Sequence, residues 1–258
     1  MSDSPRTTTG GASGTARPVI IGISTKAYLG YRASLDWLQA VTDVARRHPA
    51  VVDGRVRLFV APSAPLLESA VRLASGTAVV VAAQDVSPDP AGPTTGDTPA
   101  SLLADMGVRL VEIGHAERRA ERGETSAVIR AKIAQASAAG LATLLCIGES
   151  ARSTVDEAVA ACLAQVADAG SGRVVFAYEP IWAIGAPAPA DPSYVREVVA
   201  GIRSGLPEAL AGAPIIYGGS AGPGLLGELR PAVDGLFLGR FAHDPANVAT
   251  VLDEAAAL

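Results

Sequence analysis

One carboxylate stands where an apolar strand gives out. In Ala177-Tyr178-Glu179-Pro180-Ile181-Trp182-Ala183-Ile184-Gly185, Glu179 follows the strand-like run Arg173 to Phe176 and precedes an apolar segment bounded by Pro180 and Gly185. A carboxylate there can be dry enough to act as a base, and the segment beside it can move as a lid. Desolvation disfavours the charged form of such a group and makes it a stronger base. His115 ends another apolar run and opens a polar, helix-like one containing Glu117, Arg118 and Arg119. The N-terminus of a helix disfavours a second proton on an imidazole. A neutral ring can donate to a carbonyl and shuttle a proton between two oxygens. Lys26, in Ile23-Ser24-Thr25-Lys26-Ala27, ends the first apolar run and shares the lysine complement with Lys132 alone, all other basic residues being arginine. An ammonium so placed attracts a phosphorylated anion and stabilises charge developing on a substrate oxygen. Each residue also has a plainer reading: a solvated carboxylate, a structural histidine, a surface lysine. Their shared position after strands outweighs it.

The elements that would bring them together alternate along the chain. Strands are expected at Val19–Ser24, Arg57–Ala61, Ala78–Gln84, Arg109–Gly114, Ala142–Ile147, Val174–Tyr178, Pro214–Tyr217 and Gly235–Leu238. They are rich in Val, Ile and Leu without strict alternation, as in parallel strands buried on both faces. Helices are expected at Ser34–Arg47, Pro65–Ala74, Pro99–Met106, Thr125–Ala139, Thr154–Ala167, Ser193–Ser204, Pro223–Leu229 and Pro245–Ala257. Eight strand–helix units make an α/β chain of the (β/α)₈ barrel type, and 258 residues suit one such domain. A doubly wound sheet is the rival, but no Gly-rich dinucleotide fingerprint follows the first strand. In a parallel barrel the residues after the strands share one rim, where barrel enzymes carry their chemistry.

Composition narrows the classes. Forty-nine per cent hydrophobic residues supply ample core, and a net charge of −5 gives no footprint for nucleic acid. No run of 18 apolar residues suggests a membrane span. Residues Met1 to Pro18 are Ser/Thr/Gly-rich without an apolar h-region and read as a flexible tail, leaving residues 19–258 for the barrel. Two cysteines, Cys146 and Cys162, do not form a disulfide framework, which suggests a cytoplasmic home.

The segment around Glu179, the motif Ile113-Gly114-His115-Ala116-Glu117-Arg118-Arg119 and the run Tyr217-Gly218-Gly219-Ser220 together resemble the triosephosphate isomerase family, in order and at compatible spacing, from about Val19 to about Ala249. The resemblance implies a single-domain TIM barrel needing no metal or organic cofactor. It implies that Glu179 abstracts a proton beside a carbonyl and returns it to the neighbouring carbon, that His115 polarises the carbonyl, and that Lys26 stabilises charge. This family is itself the standard example of a glutamate base paired with a neutral histidine. Gly185, Gly218-Gly219-Ser220 and Gly239 match its phosphate-contacting segments, and such binding needs small residues and backbone N–H groups. Glu117 matches a family Glu and is a plausible partner for Lys26. Cys146 matches a buried structural cysteine. The loop Asp85 to Asp97 matches the family's dimer loop, implying a homodimer with Thr95 near the partner's Lys26 region.

Departures from the family pattern are informative. Ser24 and Thr25 replace the usual Asn and Trp, and Ser24 keeps a hydrogen-bonding group with shorter reach. Arg240 replaces a second Gly; it adds a contact to phosphate, crowds the pocket or points away. Ala116 replaces a Ser that holds the resting base, so Glu179 is expected to rest elsewhere. Ala186-Pro187-Ala188 replaces Thr-Gly-Lys in the lid, and Pro187 has no N–H to bond the Ser matching Ser220. Tyr217 is the expected alternative latch.

The expected substrate is therefore a small phosphorylated sugar. The default pair is dihydroxyacetone phosphate and glyceraldehyde 3-phosphate, interconverted as in glycolysis and gluconeogenesis. The alternative is a four-carbon ketose phosphate such as an erythrulose phosphate, for which Ser24 and Thr25 leave room. A phosphate-binding barrel without turnover fits the altered lid but has no need of a base. An aldolase would need a lysine inside the barrel or clustered metal ligands.

Overall fold

A computed structural model describes residues 17–170 and 172–258. The tail expected over Met1 to Pro18 thus lies almost wholly outside the described residues. Eight parallel strands close into a barrel in chain order: β1 Val19–Ser24, β2 Val56–Ala61, β3 Val80–Ala83, β4 Leu110–Ile113, β5 Ala142–Ile147, β6 Val174–Tyr178, β7 Ile215–Tyr217 and β8 Gly235–Leu238. β1 closes the ring by pairing with β8, Ile20 against Gly235 and Ile23 against Leu238. The α/β expectation and the TIM barrel hold, and no open sheet edge remains.

The layering follows from residue alternation. Side chains such as Ile20, Phe59, Leu110, Leu144, Ala177, Ile216 and Phe237 fill the barrel interior. Their neighbours in sequence point outward to the helices and form the larger apolar cluster. The helices are α1 Tyr31–Arg47, α2 Pro49–Val52, α3 Leu67–Ala74, α4 Ala100–Met106, α5 Ala116–Glu121, α6 Ser126–Ala138, α7 Val155–Val166, α8 Pro192–Gly205, α9 Leu225–Leu229 and α10 Pro245–Ala256. Two of them, α2 and α5, were not among the expected helices, although the helix-like character of residues 116–119 is visible. The helix expected from Pro65 begins instead as a 3₁₀ turn over Ala64–Leu66, since proline supplies no N–H and is tolerated only in a first turn. α7 starts with a capping box between Thr154 and Glu157.

Lys132 lies on α6 but is not a surface lysine. It is 3% exposed and bonds Asp85 Oδ1 and Glu124 Oε1, both at 2.5 Å. Arg118 bonds the same two carboxylates, Asp85 Oδ2 at 2.5 Å and Glu124 Oε1 at 2.6 Å. This four-residue ion network ties the start of the loop after β3 to α5 and α6. His48 pairs with Asp253 at 3.1 Å, and His243 packs against Tyr28 with ring centroids 5.4 Å apart.

Candidate active site

The closed barrel brings Lys26, His115 and Glu179 to one rim, at the C-terminal ends of β1, β4 and β6. His115 is 4% exposed and Glu179 6% exposed. His115 is the N-cap of α5, and its Nδ1 accepts from the Glu117 backbone N–H at 3.1 Å. An accepting Nδ1 carries no proton, so a neutral ring bears its proton on Nε2. That nitrogen faces Glu179 Oε2 at 3.7 Å, beyond hydrogen-bond range. Glu179 Oε2 is buried without a partner. The glutamate carboxylate thus rests against His115, and Ala116 offers it no hydroxyl.

Lys26 donates to Glu117 Oε1 at 2.5 Å. Burial acts to lower its pKa, but the Glu117 hydrogen bond and the charges of Glu117, Glu179 and Glu112 outweigh it and raise the value above that of an ordinary lysine. Its backbone is strained at φ 48°. Three side chains hold it there through the Lys26 carbonyl: Ser63 Oγ at 2.7 Å, Gln84 Nε2 at 3.1 Å and Thr25 Oγ1 at 3.4 Å. Thr25 is therefore a buried support, while Ser24 lines the cavity beside Lys26 and His115.

Two glycines make the seat for Glu179. A Cβ on Gly148 would lie 2.0 Å from the Glu179 carbonyl oxygen, and one on Gly218 would lie 2.5 Å from Glu179 Cγ and 2.6 Å from its Oε1. Gly218→Ala must displace the carboxylate. A misplacement of about 1 Å costs on the order of 10²-fold in rate. We expect kcat to fall by that factor while the thermal unfolding midpoint moves little; kinetics and calorimetry on the same preparation test this. An unchanged kcat would mean that the Glu179 position is not critical.

The lid, Pro180 to Ala190, is held at both ends. Glu149 Oε1 accepts from Trp182 Nε1 at 2.8 Å, Tyr194 OH at 3.1 Å and Tyr178 OH at 3.3 Å. At the far end the Tyr217 hydroxyl accepts from the Ala190 N–H at 3.2 Å. Between them the polarity of the expected contact is reversed. Pro187 offers no N–H, and Ser220 Oγ instead donates to the carbonyls of Ala186 at 2.7 Å and Ala183 at 3.2 Å. Arg240 donates to the Gly185 carbonyl at 3.3 Å, so its guanidinium is engaged by the lid. The latch is thus shared by Ser220, Arg240 and Tyr217. Around them the backbone N–H groups of Gly185, Gly219, Ser220 and Gly239 donate to no other described residue. Unsatisfied donors on small residues are what an anion needs.

A cavity of about 740 Å³ opens beside Lys26 and runs under the loop after β3. Its floor holds a residue that the sequence reading missed. Glu112, on β4, is 4% exposed and points inward with Oε2 unpartnered. Its signal was available: it is the one carboxylate within the apolar run Leu110-Val111-Glu112-Ile113. Burial pushes its pKa up to about 7, and the Glu179 charge adds to this against the opposing pull of His115, Ser24 and Lys26. The folded-state pKa therefore lies above the unfolded value of 4.5. The associated stability is full below the unfolded pKa and is lost as pH rises through about 7. Glu112→Gln removes that loss, which is about 3 kcal/mol for such a shift. The variant is expected to gain on wild type by about that amount between pH 4.5 and 8. Denaturant titrations at the two pH values measure it, and a pH-independent difference would contradict the assignment.

Cys146 is buried in the same interior, and burial holds its thiol pKa well above the usual range, so it is no nucleophile. Thr95 is exposed on the loop from Asp85 to Asp97. Among the described residues no group of three or more His, Cys, Asp or Glu could hold a metal ion, and no helix is long and apolar enough to cross a membrane.

A family model described as triosephosphate isomerase matches residues 19–255. An L-erythrulose-1-phosphate isomerase of Pectobacterium atrosepticum is 44% identical over 250 residues, covering 93% of this chain and 96% of that protein. A triosephosphate isomerase of Ruegeria pomeroyi is 37% identical over 243 residues, covering 88% of this chain and 94% of that one. The crystal structure of triosephosphate isomerase from Bartonella henselae matches with a TM-score of 0.78 at 27% identity, covering 94% of this chain and 100% of that chain.

Proposed function

The chain belongs to the triosephosphate isomerase family and is an isomerase, and we propose that its substrate is a four-carbon ketose phosphate such as an erythrulose phosphate. The observation that carries this is Ser24 on the cavity wall beside Lys26 and His115; a side chain shorter than the family's usual Asn gives a longer substrate more room. The likeness to the Pectobacterium protein, higher than that to the Ruegeria one, supports it.

The phosphate is held by Gly185, Gly219, Ser220 and Gly239, with Arg240 joining through the lid; Gly218, expected in this set, has its N–H bonded to the Tyr178 carbonyl at 2.9 Å and seats Glu179 instead. Glu179 Oε2 takes the proton from the carbon beside the carbonyl. Its lack of a hydrogen-bond partner leaves the lone pair free for that step. His115 Nε2–H donates to the carbonyl oxygen as negative charge develops, and Lys26 stabilises the resulting enediolate. Glu179 returns the proton to the neighbouring carbon. On a triose phosphate this interconverts aldose and ketose. On a four-carbon ketose 1-phosphate it carries the carbonyl from C2 to C3, and the product is again a ketose. Closure of the lid removes water while the enediolate exists.

The triose pair, with a place in glycolysis and gluconeogenesis, is the second reading, favoured by the complete set Lys26, His115 and Glu179. Steady-state kinetics with triose phosphates and four-carbon ketose phosphates decides between them. A higher kcat/KM on the four-carbon substrate is expected. Turnover of the triose phosphates alone would reverse the order, and binding of phosphate ligands without turnover would leave a non-catalytic barrel.

The working form is a homodimer in the cytoplasm. The exposed loop bearing Thr95 and the exposed rings of Tyr28 and Tyr31, close in sequence to Lys26, support a partner's loop seated beside it. Sedimentation at the mass of a single chain would exclude that arrangement. Two unpaired, buried thiols suit a reducing compartment; cell fractionation tests the location.

A further inference from the structure

We propose that Glu112 selects the substrate by accepting a hydrogen bond from the terminal hydroxymethyl group of a four-carbon sugar phosphate. The inference rests on the four-carbon reading above and adds the group that would recognise the fourth carbon.

Topology gives the direction. The small-residue segments suited to phosphate follow β6, β7 and β8, and β4 lies across the eight-stranded ring from β8. A sugar phosphate anchored at those segments extends its other end toward β4. Glu112 occupies that side, on the same cavity wall as Ser24, Lys26 and His115. The reacting carbons lie between the two ends, at Glu179 and His115.

The energetics point the same way. Beneath the polar rim the barrel interior is apolar: Leu144 on β5 is the ladder partner of Glu112, and Leu110, two residues earlier on β4, also faces inward. A buried carboxylate oxygen without a partner costs stability, and an apolar side chain would fill the position without that cost. Glu112 Oε2 is such an oxygen, and Glu112 is among the residues that line a cavity large enough for a ligand. The proton-transfer chemistry does not use it, because Glu179, His115 and Lys26 already supply base, donor and cation. Ser24 lines the same cavity as Glu112, so the two residues form one polar corner. A triose phosphate lacks the fourth-carbon hydroxymethyl group that the proposal places at that corner. Sites built to bond a substrate hydroxyl discriminate strongly against analogues that lack it.

The test compares wild type with Glu112→Leu and Glu112→Gln. Leu keeps the bulk and removes the acceptor, and it suits an apolar barrel layer, so folding is expected to survive; Gln keeps an acceptor. Glu112→Leu should lower kcat/KM for the four-carbon ketose phosphate about 100-fold more than for the triose phosphates, while Glu112→Gln keeps the wild-type ratio within about tenfold. Equal loss on both substrates would overturn the proposal. Calorimetric binding of erythritol 4-phosphate and glycerol 3-phosphate separates this from failure of the substrate reading. If wild type turns over no four-carbon substrate, that reading fails. A preference for erythritol 4-phosphate that disappears in Glu112→Leu would still support the contact, and equal Kd values in wild type would overturn it.

Discussion

Glu179→Gln is expected to lower kcat/KM by about 10³-fold, within the span a positioned general base supplies. The substitution is nearly isosteric and cannot take a proton. The seat formed by Gly148 and Gly218 accommodates an amide as well as a carboxylate. Glu179 Oε2 makes no hydrogen bond, so none is lost at that atom, and removing a buried charge does not weaken the fold. The loss should therefore fall on kcat, with KM little changed, because the base acts in the transition state and not in binding. Steady-state kinetics with a circular-dichroism melt on the same sample measures both. A loss of less than tenfold would show that another group removes the proton.

Lys26→Met is expected to lower kcat/KM by about 10²–10³-fold, the scale for removing one donor from a charge-stabilising site. Here KM should rise as well, since the ammonium attracts the phosphorylated anion before reaction. Stability should change little. The strained backbone at position 26 is held by Ser63, Gln84 and Thr25 through the carbonyl, which methionine retains. The freed Glu117 side chain is 46% exposed and can be hydrated. Lys26→Arg should not restore activity, because a planar guanidinium cannot take the place of a compact ammonium. The dependence of kcat/KM on ionic strength gives a second reading: wild type should lose rate with added salt more steeply than Lys26→Met. Parallel salt slopes and a loss below tenfold would remove Lys26 from the chemistry.

The barrel was legible because its strands are short apolar runs of Val, Ile and Leu, each ending close to a residue with chemistry. Strand bounds agree within a few residues; β3 is shorter than expected because only Val80–Ala83 remain in the ladder, and Gln84 has turned its amide to the carbonyls of Ala61 and Lys26. The convergence of Lys26, His115 and Glu179 follows from parallel topology once all three are seen to follow strands. Details that depend on side-chain direction were not legible. Pro187 announces that a backbone donor is missing, but only the fold shows Ser220 turning from acceptor to donor toward Ala186. Lys132 reads simply as a residue of an outer helix; only the fold shows Asp85 and Glu124 closing around its ammonium, with Arg118 sharing both carboxylates. Glu112 was visible as a lone carboxylate in an apolar strand, and alternation alone could not say whether it faced the helices or the barrel interior.

The most direct test of proton transfer at Glu179 is turnover in D₂O followed by ¹H NMR on whichever sugar phosphate the enzyme accepts. Abstraction and return of a proton by a carboxylate predict deuterium at the carbon that becomes protonated, growing with conversion and absent with Glu179→Gln. Product formed at the full wild-type rate with no deuterium at that carbon would mean that hydrogen passes directly between carbons, and the enediolate account would be wrong.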